Sequence, residues 1–137
     1  MTKAHVLNKT LSSEDRRAIQ DILEARRFEV VFGMPADFLV LSGSDAIGVI
    51  CLPAAEADSE LLAERARDFA GVGLRVIGIW LHDETEDLPT ALGDFGSAVV
   101  TMGSTELDRV LHESAAAVWE RPGGARRADQ PTPRNKC

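Results

Sequence analysis

The sequence predicts an α/β domain, a mainly parallel five-stranded sheet with helices on both faces. Apolar runs of strand length alternate with amphipathic stretches of helical period through most of the chain. The runs at 46–52 and 74–81 read as strands buried on both faces, and the first of them shows no polar alternation at all. A length of 137 residues, 45% of them hydrophobic and 27% charged, fits one folded domain with one core.

Taken in order, Ala4-His5-Val6-Leu7-Asn8 makes a short first strand. Thr10-Leu11-Ser12-Ser13 is a loop, and Ser12 with Asp15 forms a capping box for a helix. Ala18, Ile19, Ile22 and Leu23 carry that helix to about Arg27. Residues 28–33 are rich in β-branched and aromatic types and closed by Gly33, which makes a strand. Met34-Pro35-Ala36 breaks the chain, 38–41 is a second apolar run, and Ser42-Gly43-Ser44-Asp45 turns it into 46–52. A hairpin in place of a parallel crossover is the alternative for this stretch.

Asp58 or Ser59 caps the next helix, with Leu61, Leu62, Ala66 and Phe69 inward and Gly71 and Gly73 as its stop. The strand at 74–81, an acidic loop at 82–87 and a short helix around 89–92 come next. Residues 97–102 form the last strand. Thr105 with Asp108 caps a final helix whose inner face runs from Leu107 through Val110, Leu111, Ser114 and Ala115 to Val118, with Trp119 at its end.

Charge divides the chain in two. Residues 121–137 carry about +4 and residues 1–120 about −11, for a net charge of −7. The expected organisation is a folded domain over 1–120 and a basic Pro/Gly/Arg-rich tail over 121–137, with Cys137 exposed. An acidic body argues against a phosphate-binding face, so nucleic acid is not an expected partner. The lysines are Lys3, Lys9 and Lys136, near the termini, which excludes Schiff-base chemistry and a Walker-type loop. Cys51 and Cys137 make neither a disulfide framework nor a zinc site. His5, His82 and His112 lack metal-ligand spacing and read as surface or loop histidines, so no metal is expected. No run approaches the ~20 apolar residues of a membrane span. The expected location is the cytoplasm.

Several site classes fail on residues. Leu7-Asn8-Lys9 and Met102-Gly103-Ser104 lack the acids and the lysine of a phospho-acceptor domain. Gly71-Val72-Gly73 precedes a strand, so it is not a dinucleotide fingerprint. Asp37 before two apolar runs suits the opening of a PD-(D/E)XK nuclease. The following strand has Ile50-Cys51-Leu52-Pro53 in place of the acid and lysine that hold a metal.

Ser44-Asp45-Ala46-Ile47-Gly48-Val49-Ile50, a helix bearing Ser59 and Glu64, and Arg75-Val76-Ile77-Gly78-Ile79-Trp80 together resemble the middle of a bacterial TIR-like domain. The short Thoeris-type group is the nearest branch. Residues 87–100 resemble its stretch from the proline-containing helix to the last strand, and Trp119-Glu120-Arg121-Pro122-Gly123-Gly124 resembles a segment after its last helix. The likeness spans roughly 44–124. It implies a flavodoxin-like three-layer sandwich acting in anti-phage defence, which cleaves NAD at the nicotinamide–ribose bond or makes a cyclic ADP-ribose signal. NAD is then a substrate and no cofactor is required.

The resemblance places the catalytic carboxylate at Glu64, where it would fix the ribose hydroxyls and steady an oxocarbenium-like charge. The alternative for Glu64 is a solvated helix residue beside Arg67. Asn8, Ser12, Ser13 and Asp45 are the expected nucleotide contacts, although serines in a loop before a helix, as Ser12 and Ser13 are, more often serve simply as helix caps. A second function class is a catalytically degenerate interaction or nucleotide-sensing module. Its partners would be NAD or a related nucleotide, further copies of the chain, or an effector protein.

Overall fold

The computed structural model describes residues 2–33, 46–83, 88–113 and 118–122. Five strands lie among them: β1 (Thr2–Val6), β2 (Phe28–Phe32), β3 (Ile47–Leu52), β4 (Val76–Trp80) and β5 (Ala98–Thr101). They form one sheet of order β2-β1-β3-β4-β5, and every pairing is parallel. Helices α1 (Ser13–Glu24), α2 (Ser59–Gly71), α3 (Thr90–Phe95) and α4 (Leu107–His112) cover it.

Alternation along the strands divides the core into two layers. Ile47, Val49 and Cys51 of β3 and Ile77 and Ile79 of β4 pack with Ile19 and Leu23 of α1 and Leu107, Val110 and Leu111 of α4. Ile50 and Leu52 of β3 and Val76 and Trp80 of β4 pack with Leu62, Ala66 and Phe69 of α2 and Leu92 of α3. The alternating pattern predicts a mainly parallel sheet covered on both faces, and the result is a three-layer α/β architecture of the flavodoxin-like kind that the resemblance implies. All six residues of β3 and all five of β4 are buried, as strands covered on both faces must be.

Local chemistry sets the element ends. Ser12 Oγ accepts from the Asp15 amide at 3.1 Å, so the expected cap on α1 forms. Gly73 takes φ +82°, a backbone conformation that favours glycine, and the Leu74 amide returns to the Phe69 carbonyl to close α2. Arg75 closes α4 from a distance. Its guanidinium donates to the carbonyls of Val110, Leu111 and Glu113, the last acceptors of that helix.

Several details differ from the sequence reading. The first strand spans Thr2–Val6, with Leu7 and Asn8 just beyond it. Asp58 stands at the N-cap of α2 without bonding that helix, because its carboxylate is committed elsewhere. The final helix ends at His112. Residues 118–120 are extended and lie beside β5, where the Val99 amide donates to Val118 and the Glu120 amide to Val99. Trp119 is therefore buried on a sheet edge and does not end a helix. His5, read as a surface or loop histidine, is buried in β1 at 2% exposure. The run at 38–41, the turn at 42–45, Ser114 and Ala115, the acids at 84–87 and the tail from Gly123 lie outside the described residues.

Candidate functional site at the carboxyl edge

In this strand order the chain turns outward from β1 to β2 on one side and continues through β3 to β5 on the other. The reversal lies between β1 and β3, and parallel sheets take ligands at the carboxyl end of such a reversal. The loops after β1 and β3 therefore border the position where this strand order takes a ligand.

Polar groups there are numerous and mutually engaged. The Asn8 side chain donates to the Cys51 carbonyl at 3.1 Å and accepts from the Cys51 amide at 2.7 Å. One carboxamide thus continues the β1–β3 ladder by two bonds where the β1 backbone has left it. Asp58 accepts from the Thr10 amide and from Thr10 Oγ1, both at 3.0 Å, which holds the loop after β1 against the start of α2. Arg65, one turn and a half into α2, donates to the Leu7 carbonyl at 2.7 Å. These bonds fix the geometry of the edge and occupy the groups that make them.

A second part of the edge lies at the ends of β4 and β5. The Leu81 amide bonds the Leu52 carbonyl at 2.8 Å, and His82 Nε2 lies 2.8 Å from Asp15 Oδ1 in the first turn of α1. That pair joins the turn after β4 to the helix on one face. An open depression of about 340 Å³ lies alongside, lined by residues 80–83, residues 101–103 and Pro122. Its far wall is tied down by Glu120. The Glu120 carboxylate accepts from the Thr101 amide at 3.1 Å and from Ser104 Oγ at 2.8 Å, and its carbonyl accepts from Trp80 Nε1 at 2.9 Å.

The expected site residues are distributed unevenly over this edge. Asn8, Ser12 and Ser13 all come after β1. Asn8 is buried and bonded to Cys51, Ser12 caps α1, and Ser13 is exposed in the first helical turn. Glu64 is exposed in the second turn of α2, away from the face formed by Leu62, Ala66 and Phe69. Asp45 lies outside the described residues. Cys51 is no nucleophile, since burial, aided by the nearby Asp15 charge, pushes its thiol up to about 12. Among the described residues no group of three His, Cys, Asp or Glu side chains is placed to hold a metal ion. No helix among them is long and apolar enough to cross a membrane.

Asp58, Arg65 and Glu120 were not singled out by sequence as site residues. Asp58 carried a signal, but one for a helix cap. Arg65 and Glu120 bond backbone groups far away in sequence, and no local pattern encodes such a bond. Comparison with family models, with curated proteins and with solved structures finds no match for this chain. The fold therefore rests on its strand order and layers, and the functional reading on the residues themselves.

Proposed function

We propose that the chain is a TIR-like module of bacterial anti-phage defence that binds NAD or a related nucleotide at the carboxyl edge and assembles with copies of itself or with an effector protein. The reading draws on the sequence resemblance over 44–124 and on a strand order that reverses between β1 and β3, the place where parallel sheets take ligands. The observation that favours binding over turnover is the disposition of the polar groups. Glu64, the expected catalytic carboxylate, stands in solvent. A carboxylate that steadies an oxocarbenium-like ribose acts most strongly where water is excluded, and solvent screens an exposed one. Leu61 and Glu60 also replace the cysteine and the aromatic neighbour that accompany the glutamate in the resembled group.

Turnover is the second reading, with one observation behind it. Glu64 lies on the helix after β3, which is where the resembled group carries its glutamate. Purified protein incubated with NAD, with nucleotides separated by chromatography, tests both readings. The measurement is repeated with added phage-infected lysate, so that assembly is not the missing ingredient. Binding predicts that NAD persists while NAD or ADP-ribose raises the thermal midpoint. Loss of NAD that disappears in a folded Glu64→Gln variant would establish turnover. NAD neither consumed nor bound would remove both readings.

A further inference from the structure

His5 is the buried histidine that the candidate site does not use. It sits in β1 opposite Val31 of β2 and Gly48 of β3, with 2% of its surface exposed. Its Nδ1 lies 3.3 Å from the Gly33 carbonyl, an acceptor, so Nδ1 carries the proton of the neutral ring. Nε2 is then an unprotonated nitrogen, buried, with no hydrogen-bond partner among the described residues. The Phe69 ring of α2 meets the imidazole edge-on at a centroid distance of 5.6 Å. Gly48 offers no side chain, because a Cβ there would come within 3.1 Å of Phe69. Among the described residues the charged groups whose fields reach the ring are Lys3 on β1 and Glu29 on β2, and these two are themselves paired at 3.9 Å.

We propose that His5 is an acid-sensitive latch on the edge strand β2, which a proton added at Nε2 releases before the rest of the sheet opens. A proton at Nε2 creates a buried N–H with no acceptor among the described residues and a charge cut off from water. The segment it holds lies at one end of the strand order. β2 pairs with β1 alone among the described strands, and Gly33 ends it with both backbone groups engaged, its amide on the Val6 carbonyl and its carbonyl on His5. Burial, the largest influence, holds the imidazole below its ordinary value of 6.5, against a smaller opposing effect of the Gly33 carbonyl. Linkage gives the sign: the opened state binds the proton more readily than the closed one. Closure is thus fully favoured above 6.5 and weakens as pH falls through it.

Hydrogen exchange on the intact chain at pH 7.5 and pH 5.0, corrected for intrinsic rates, tests the latch. The amides of residues 29–33 should open more at pH 5.0, by a factor approaching about 30 while the closed form remains unprotonated. Amides of β3 and β4 should change much less. His5→Phe, which keeps a ring against Phe69, should abolish the pH response of β2. Unchanged exchange at 29–33, an equal rise throughout the sheet, or a full response surviving in His5→Phe would each overturn the proposal. If His5→Phe does not fold, NMR titration of the natural chain decides. The Val31 and Gly33 amide signals must move with the His5 ring, and their failure to do so overturns it.

Discussion

Asn8 shows how one side chain can carry both a structural and a functional expectation, and how its bonds separate the two. Its carboxamide meets the amide and the carbonyl of one residue, Cys51, in the manner of a neighbouring strand. Removing it leaves two buried backbone groups without partners. Asn8→Ala should cost about 3 kcal/mol, the sum of two modest bonds and the desolvation of the groups they leave. Urea unfolding monitored by circular dichroism measures this, with the slope unchanged and the midpoint lowered. If Asn8 acts chiefly as a nucleotide ligand, the same substitution weakens ligand binding and leaves the midpoint in place. His5 gives the complementary lesson. A histidine between Ala4 and Val6 has no local mark of burial, and only the neighbours supplied by β2, β3 and α2 decide it.

At the scale of elements, the features legible in the sequence were those that short-range pattern controls. Continuous apolar runs gave β3 and β4 because each is buried on both faces. Ser12 and Asp15 gave the start of α1 because a cap is a local bond. Leu107, Val110, Leu111 and Val118 fit helical spacing, which makes the last helix look longer than it is. Yet Val118 and Glu120 are held by hydrogen bonds to Val99 across the sheet edge. Asp58 was legible as a cap and turned out to hold Thr10, a choice made by an element 48 positions away. The packing between elements yields its own prediction. A Cβ at Gly78 would lie 2.7 Å from Leu92 Cδ1, 3.0 Å from Leu52 Cδ1 and 3.2 Å from Val99 Cγ2. Side-chain ends can give way, so Gly78→Ala should fold and lose about 1–3 kcal/mol as α3 moves off the sheet. Thermal denaturation reads the loss, and Leu92→Ala in the same chain should recover part of it by opening the space.

Across the whole molecule, the two faces of the sheet are closed by helices, and one edge is closed by the chain's own return. The segment 118–122 adds Trp119 to the core, covers β5 through Val99, and anchors Trp80 and Thr101 through Glu120. It thereby ties the way out of the domain to the wall of the depression at the carboxyl edge. A truncation series separates this segment from the residues C-terminal to it. A chain ending at Gly124 keeps every one of these bonds, so its melting temperature should stay close to that of the full chain. A chain ending at residue 117 loses a Trp that is 6% exposed, strips the Val99 amide and carbonyl of their partners and orphans Trp80 Nε1. Losses of buried Trp alone run to about 3–5 kcal/mol, so this shorter chain should melt far lower or fail to fold. Differential scanning calorimetry of the three chains gives the comparison. Equal melting of the two truncated forms would mean that 118–122 lies on the domain without supporting it.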